Sequence, residues 1–294
     1  MIVRRPTEAD RRALASCAAP LQARPEHHVA YLGTDPESIA AEMIEDVDDW
    51  TEAAAVAADE GADGRIAGWL MGSIDHEMGR VWWFGPFVDT DDPSRWREMA
   101  DRLDASARRE LPGHVTEEEY AFDARHLVGE AWAVAHGFVA DPGSAVLTLD
   151  HVLDPPSIPT RPATVADVDT VGRLHDELFA NTPTSGAALV VSSDPAKPRL
   201  DAELDGAVAG YIAVERQPDG SGYIDYLGVA PTHRRRGLGA ELVRAGVVAL
   251  AELGCDRFHL TVRESNTGAR ALYTGLGFAE ERVIRPVRRG FSLP

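Results

Sequence analysis

Apolar and polar positions in the second half of the chain follow periods that predict strands and helices in turn. Strand-like runs are rich in Val, Ile and Tyr and are separated by turn sequences. Helix-like runs have apolar residues at helical spacing and close on glycine, where a left-handed cap residue is expected. In chain order the predicted elements are a helix at 165–179, strands at Ala207–Arg216 and Gly222–Val229, a helix at 238–253, a strand at 257–262 and a helix at 267–276.

Four short sequence blocks recur in the same order in the two halves of the chain. The blocks of the first half begin at Arg5, Ile66, Gly79 and Ala135. Their counterparts in the second half begin, in the same order, at Arg161, Val208, Gly222 and Gly275. Four matches in a fixed order predict an internal repeat, and a length of 294 residues suits two domains. Alternating strands and helices predict an α/β (α+β) fold, each repeat having a mixed central sheet flanked by helices.

A proline-rich segment separates the two repeats. Residues 154–160 include three prolines, which stiffen a linker and cannot continue a strand ladder. The sequence therefore predicts a first domain at 1–153, a linker at 154–160 and a second domain at 161–294. Within the first domain, the acidic, Ala-rich stretch 52–64 is predicted as an exposed loop or a short helix between two strands.

Charge is distributed unevenly and limits the classes of partner. The net charge is −19, and residues 1–150 carry 30 acidic and 13 basic side chains. Such an acidic body repels phosphate backbones, so nucleic acid is not expected as a partner. It suits a cationic partner, although a solvated acidic surface accounts for the charge equally well.

Other sequence features predict a cytoplasmic protein without metal. Cys17 and Cys255 are far apart and fit neither a disulfide framework nor a metal site, and the pair His27 and His28 has no further ligand nearby. No apolar run reaches the ~18 residues of a membrane-spanning helix. Residues 1–10 lack the apolar core of a secretory signal.

The segment 229–240 has the features of a phosphate cradle. A strand ends at Val229, and after a short turn two glycines spaced by one residue open a long helix. Glycines let the backbone approach a ligand closely, and the first N–H groups of a helix converge on one point. Three consecutive arginines precede the glycines. The segment fits neither the three-glycine Rossmann pattern nor a P-loop, which requires Gly-Lys-Ser/Thr.

The segment resembles the pyrophosphate motif of the GNAT superfamily of N-acetyltransferases, Arg/Gln-x-x-Gly-x-Gly/Ala, at 234–239. A later signature of the family is also present, at Asn266, Ala269, Tyr273, Gly277 and Phe278. The resemblance is strong over 206–281 and weaker over the whole repeat, and it implies two tandem GNAT-like domains. It also implies that acetyl-CoA is the co-substrate, bound by a set of residues that comprises Leu227, Gly228, Val229, Arg234, Arg235, Arg236, Gly237, Leu238, Gly239, Ala240, Asn266 and Ala269.

The resemblance implies a bulge at 227–229 that opens the fourth strand of the second repeat. Backbone N–H groups left unpaired there would hold the pantetheine arm, and that of Val229 would hold the thioester oxygen. The alternative is that Gly228 only bends a strand.

Direct attack of an amine on the thioester requires a base, an oxyanion donor and an acid. Tyr273 stands where the family often places the acid, the alternative being an ordinary core tyrosine. Asp225 lies two residues before the predicted bulge and is predicted to share a face with Tyr223 and Leu227. It is therefore the candidate base, or a solvent-facing acid that binds a cationic substrate. Glu215 is the weaker candidate for the base.

The first repeat has lost these features. Its matching segment has no glycine pair, and Asp89, Asp91 and Asp92 stand where phosphates would bind. The counterpart of Tyr273 is Ala133. The first copy is therefore interpreted as a degenerate GNAT-like domain that shapes the substrate cleft or packs as a pseudo-dimer partner, with residual CoA binding left open.

The leading hypothesis is an acetyl-CoA-dependent N-acetyltransferase that acts on the primary amine of a small, cationic molecule. Acetylation of a peptide or protein amine is the second. An acyl-CoA sensor without turnover is a third, and the tandem layout is also similar to that of mycothiol synthases. The chain is expected to be a monomer or a homodimer, with no metal, nucleic acid or membrane partner.

Overall fold

A computed structural model describes residues 1–44, 49–59, 65–179, 182, 184–191, 194–204, 207–217 and 219–290. The chain divides into two compact units. The first unit comprises Met1–Gly143 together with Arg282–Pro294, and the second unit comprises Ser144–Glu281.

The first repeat contains strands and helices in an order that the second repeat largely reproduces. Its elements are β1 (Ile2–Arg4), α1 (Arg11–Gln22), α2 (Pro36–Glu42), β2 (Ala53–Ala58), β3 (Ile66–Asp75), β4 (Arg80–Val88), α3 (Pro93–Ala107), β5 (Glu117–Asp123), α4 (Leu127–Ala135), β6 (Val139–Ala140) and β7 (Ser144–Leu149). The remaining elements are β8 (Arg161–Pro162), α5 (Arg173–Leu178), α6 (Gly186–Val191), β9 (Arg199–Leu204), β10 (Ala207–Arg216), β11 (Gly222–Val229), α7 (Leu238–Glu252), β12 (Phe258–Arg263), α8 (Thr267–Gly275) and β13 (Ala279–Arg289).

Each unit is built on a mixed sheet with one parallel strand pair. In the first unit the strand order is β1-β2-β3-β4-β5-β13, and β4 and β5 are the parallel pair. In the second unit the order is β7-β12-β11-β10-β9-β8, and β11 and β12 are the parallel pair. In both units a long helix, α3 or α7, connects the two parallel strands. The predicted α/β fold with mixed sheets flanked by helices is confirmed.

The compact units and the sequence repeats do not coincide. Strand β7 closes the first repeat in sequence, yet it pairs with β12 in the second unit. The stretch of β13 from Ile284 to Arg289 pairs with β5 in the first unit. The repeat boundary at 154–160 therefore stays a prediction about the sequence, because compactness divides the chain elsewhere.

Two predicted elements differ from the structure. The stretch 52–64 was expected to be a loop or a short helix, but Ala53–Ala58 forms β2, every residue of which is buried; residues 60–64 lie outside the described residues. Small side chains let a central strand pack closely against α3. The helix expected at 165–179 begins as a 3-10 turn and a π-helical segment, and only Arg173–Leu178 is α-helical.

Candidate functional site

The parallel strands of the second unit separate along their length. Pairing between β11 and β12 covers residues 222–224 and 258–260. Beyond Ile224, β11 continues to Val229 while remaining paired with β10 on its other side. The edge of β11 that faces β12 is therefore open over its last residues, which creates a slot in the sheet.

A bulge lies in β11, but at Asp225 rather than at the predicted 227–229. Ile224 and Tyr226 pair with successive residues of β10, so Asp225 between them is the extra residue. Residues 227–229 pair with β10 in regular register. The predicted position of the bulge was wrong because a register shift depends on the partner strand, which a single strand sequence does not define.

The bulge changes which side chains share a face. Ahead of it, Ile224 pairs with Val214, which lies against Gly246 of α7. After it, Leu227 also lies on the α7 side, near Gly239. Since Tyr223 points away from Ile224, Tyr223 and Leu227 lie on opposite faces. The prediction that Tyr223, Asp225 and Leu227 share one face was wrong for Leu227.

Backbone direction leaves N–H groups on the open edge of β11. The N–H of Ala230 donates to the carbonyl of Ala209 on the strand before, at 2.9 Å. Because successive N–H groups of a strand point to opposite sides, those of Val229 and Leu227 point away from β10, towards the slot. Such N–H groups are donors for a ligand laid along β11.

Gly228 must be glycine because an aromatic ring covers it. A Cβ built on Gly228 would lie 2.3 Å from the ring of Tyr211. The Tyr211 hydroxyl donates to Nδ1 of the fully buried His175 at 2.7 Å, and Nε2–H of His175 donates to the carbonyl of Thr184 at 3.0 Å. Sequence reasoning missed Tyr211 and His175, which lie outside the glycine motif and the later signature. Their hydrogen bond holds the ring of Tyr211 over Gly228.

The helix that follows β11 begins in an open anion cradle. Gly237 is the N-cap of α7 with φ of +81°, and a Cβ there would meet nothing within 4 Å. The N–H groups of Leu238 and Gly239 come before the first intrahelical bonds and have no partner within the helix. The N–H of Ala240 is already engaged, since it donates to Gly237 O at 2.9 Å. A helix start with free N–H groups and no side-chain cap favours an anionic ligand.

The three arginines directly precede this helix start and are exposed. Nε of Arg234 donates to the carbonyl of Val229 at 3.1 Å, which ties the loop to the end of β11. Arg235 adopts φ of +64°. Within the described part of the chain, Arg235 and Arg236 make no ion pair. Their charges therefore stay available to an anion.

Helix α8 brings the later signature beside the slot. Asn266 is its N-cap, with Oδ1 accepting from the N–H of Ala269 at 3.1 Å. Tyr273 is 7% exposed, and burial raises the pKa of its hydroxyl to about 12. Tyr223, which is half-buried, lies within electrostatic range of both Tyr273 and Asp225. Tyr223 therefore belongs to the surroundings of both predicted catalytic residues, although it was not predicted as a site residue.

A cluster of charged side chains surrounds Asp225. Burial raises the pKa of the Asp225 carboxyl above its usual value, and the nearby Arg199 opposes this shift. The guanidinium of Arg199 is held by the carbonyl of Val214 at 3.0 Å. Glu215 is paired with Lys197 at 3.0 Å, which occupies its carboxylate. Because an ion pair engages Glu215, Asp225 is the stronger of the two candidate bases.

In the first unit the matching helix start is filled by the protein's own carboxylate. Asp92 is the N-cap of α3, and Oδ1 accepts from the N–H groups of Ser94 at 2.8 Å and Arg95 at 3.3 Å. Asp91 is bonded by Arg24 at 2.6 Å. The N–H groups that bind an anion in a cradle are thus already satisfied.

The slot of the first unit is also filled. Parallel pairing of β4 with β5 ends at Trp83 and Tyr120, just as the pairing of β11 with β12 ends part-way along the strands in the second unit. Beyond that point the segment 28–30 pairs with the edge of β5 that β4 has left. The bonds run from Ala30 N–H to Ala121 O at 2.8 Å and from Asp123 N–H to His28 O at 3.0 Å. The chain itself occupies the place where a ligand would lie.

Ala133 stands in the place of Tyr273, as the repeat predicts. The N–H of Phe138 donates to Ala133 O and the N–H of Phe278 donates to Tyr273 O, each at 3.1 Å. The matching bonds show that the two residues are equivalent. Ala133 is fully buried and has no group that could donate a proton.

The described residues contain no group of three or more His, Cys, Asp or Glu side chains that could hold a metal ion. None of their helices is both long enough and apolar enough to cross a membrane.

Comparison with known proteins agrees with this site. Residues 169–278 match the model of the acetyltransferase (GNAT) family. A mycothiol acetyltransferase of Clavibacter sepedonicus is 34% identical over an alignment of 135 residues that covers 43% of this chain and 44% of that protein. The N-alpha-acetyltransferase MAK3 of Arabidopsis thaliana is 46% identical over 63 residues, 21% of this chain and 33% of that protein. The chain thus matches less than half the length of these relatives.

The fold agrees over nearly the whole chain. The crystal structure of a GCN5-related N-acetyltransferase from Sphaerobacter thermophilus has a TM-score of 0.71 and 19% identity, covering 98% of this chain and 95% of that one. The chain has the GNAT fold, and its residues 169–278 match the acetyltransferase (GNAT) family.

Proposed function

We propose that the second repeat transfers an acetyl group from acetyl-CoA to the primary amine of a small molecule by direct attack of the amine. The observation that carries the proposal is the open cradle at Gly237, which lies at the end of an open strand edge in one repeat and is filled in the other. Acetyl-CoA supplies the activated acyl group.

The cradle suits the pyrophosphate of a CoA ester. The N–H groups of Leu238 and Gly239 would donate to phosphate oxygens, and Arg234, Arg235 and Arg236 would balance their charge. The open N–H group of Leu227 would bind the pantetheine arm, and that of Val229 would face the thioester oxygen. Gly228, pressed against Tyr211, keeps this edge of β11 in place.

Three residues would then serve the reaction. Asp225, with its raised pKa, takes a proton from the amine directly or through a water molecule. The N–H of Val229 donates to the thioester oxygen as negative charge develops there. Tyr273 keeps its proton at neutral pH and donates it to the departing sulfur.

Replacement of Tyr273 by Phe is expected to lower kcat by about 10²-fold, the lower end of the usual contribution of a proton donor. The lower end is expected because a hydroxyl with a pKa of about 12 is a weak proton donor at neutral pH. Steady-state kinetics with acetyl-CoA titration checks this, and acetyl-CoA affinity should be unchanged. Equal kcat in the variant and the parent protein would remove Tyr273 from the reaction.

The test of the function is release of the free CoA thiol by the full chain with acetyl-CoA and a panel of amines. The panel holds polyamines, amino sugars and amino acids, with short peptides to represent an α-amine like that modified by N-alpha-acetyltransferases. We expect turnover with a small cationic amine, because the Asp225 carboxylate lies on β11 just beyond the point where β11 and β12 stop pairing. Acetyl-CoA binding without amine-dependent thiol release would indicate a sensor instead.

A mycothiol-synthase-like activity is the second candidate. It is favoured by the relatives named mycothiol acetyltransferase, which match about half of this chain. Turnover of the mycothiol precursor amine well above that of all other panel members would select it.

A further inference from the structure

Two histidines meet at one end of the sheet of the first unit. His76 directly follows β3, and His114 lies in the loop before β5, 38 residues further along the chain. Nδ1 of His76 and Nε2 of His114 are 3.4 Å apart, and the two ring centroids are 5.4 Å apart. Both side chains are exposed. The acetyl transfer proposed above is assigned to the second repeat and does not use this pair.

The separation of the two nitrogens fits a shared metal ion. A donor nitrogen and its acceptor are normally about 2.7 to 3.2 Å apart, so 3.4 Å is long for a hydrogen bond between the rings. Two imidazole nitrogens that each lie about 2.0 to 2.1 Å from one tetrahedral zinc ion are about 3.3 to 3.4 Å from each other. The distance between His76 and His114 is therefore the one expected for two ligands of one ion.

A carboxylate lies near the other ring nitrogen of His76. Oε2 of Glu52, the residue directly before β2, is 3.5 Å from Nε2 of His76. The negative charge favours the neutral ring with its hydrogen on Nε2, so that Nδ1 presents a lone pair towards His114. Histidines that bind metal ions usually have a carboxylate or carbonyl at the remote nitrogen, which orients the ring and makes it a stronger ligand. Glu52 is placed for that role.

Backbone contacts hold the two loops that carry the histidines. The carbonyl of Gly79, which ends the turn after His76, accepts from the N–H groups of Thr116 at 2.8 Å and Glu117 at 3.2 Å. A Cβ built on Gly79 would lie 2.8 Å from the carbonyl oxygen of His114, so the two loops approach as closely as glycine allows. The fold therefore brings the two rings together before any ion binds.

Charges at this end of the sheet favour a cation. The carboxylates of Glu52, Asp75 and Glu77 belong to the residues that flank β2 and β3, and Asp75 accepts from the N–H of Glu77 at 2.9 Å. Arg80, which begins β4, is paired with Glu117 at 2.9 Å. Imidazole nitrogens bind zinc, nickel and copper ions, whereas magnesium and calcium ions prefer oxygen ligands. The pair therefore selects a transition-metal cation.

We propose that His76 and His114 together bind an exchangeable divalent transition-metal ion of the zinc type, with water in the remaining positions. Two protein ligands make an open site, unlike the closed four-ligand site of a structural zinc ion. The sequence predicted no metal because its motifs join residues that are close in the chain, whereas this pair forms only where two loops meet. This inference does not depend on acetyl transfer.

The test is calorimetric titration of the full chain with zinc chloride after treatment with a chelator. We expect one site whose affinity falls about 10²-fold in His76→Gln and in His114→Gln, because a second ligand held in place raises affinity by at least about that factor. Glu52→Gln keeps the shape of the side chain but removes its charge, and it should weaken zinc binding about tenfold. Magnesium chloride should not displace zinc from the site.

His136→Gln is the matched control. His136 is also exposed and also faces a carboxylate, that of Asp101 at 3.3 Å, but its Nδ1 faces the carbonyl of Trp132 at 2.8 Å instead of a second imidazole. This variant should bind zinc as the parent protein does. Thermal unfolding without metal shows whether each variant keeps its fold. Added zinc should raise the Tm of the parent protein and of His136→Gln more than that of His76→Gln.

Four results would overturn the proposal. Absence of zinc binding by the parent protein, or unchanged zinc affinity in both His76→Gln and His114→Gln, would mean that the two rings share only a hydrogen bond. An equal loss in His136→Gln would mean that scattered histidines bind zinc adventitiously. Displacement of zinc by magnesium would mean that carboxylates, and not the histidines, hold the ion.

Discussion

Asp225→Asn is expected to lower kcat/KM for the amine by about 10²- to 10⁴-fold, the range for loss of a general base. Asp225 is the extra residue of the bulge in β11, and burial raises the pKa of its carboxyl group. A base must be deprotonated to work. Activity of the parent protein should therefore fall as pH drops through this raised pKa, at a higher pH than for an exposed aspartate.

The measurement is a pH profile of kcat/KM for the parent protein and two variants. Asp225→Asn should lack the acid limb, because the titrating group is gone. Glu215→Gln is the control: Glu215 is paired with Lys197, so its loss should leave the limb in place. An acid limb that persists in Asp225→Asn and disappears in Glu215→Gln would assign the base to Glu215.

Gly237→Asp is expected to weaken acetyl-CoA binding by about 10²- to 10³-fold. The substitution places a carboxylate at the N-cap of α7, the helix position that Asp92 holds in α3, so a negative charge lies beside the N–H groups that would bind the pyrophosphate. A negative charge about 4 Å from a phosphate costs about 1 to 4 kcal/mol, depending on the local dielectric, and loss of the free helix terminus adds to this. Calorimetric titration gives the affinity.

Gly237→Asn separates charge from backbone strain. Both Asn and Asp tolerate the left-handed conformation that Gly237 adopts at φ of +81°, and they have nearly the same shape. We expect the affinity of the Asn variant for acetyl-CoA to fall by about tenfold or less. Equal losses in the two variants would show that shape, and not charge, governs the cradle.

The sequence was most informative where local geometry needs a particular residue. Gly237 could be predicted because a left-handed N-cap favours glycine, and Asn266 because a helix start favours a capping side chain. The equivalence of Ala133 and Tyr273 followed from the repeat alone. These features depend on a few neighbouring residues.

Features that depend on distant strands were not predictable. The bulge at Asp225 results from the register between β11 and β10, and Tyr211 is a site residue only because that register places it over Gly228. Likewise, no motif indicates that residues 28–30 fill the slot of the first unit. The same holds for the strands β7 and β13, whose pairing departs from the repeat boundary.

The most direct test of the account is the stoichiometry of acetyl-CoA binding by the full chain in calorimetric titration. The account predicts one site per chain, supplied by the cradle at Gly237 and lost in Gly237→Asp. Two sites per chain would contradict it, since the carboxylate of Asp92 and the segment 28–30 would then fail to exclude the ligand. Absence of binding would contradict the acetyltransferase proposal itself.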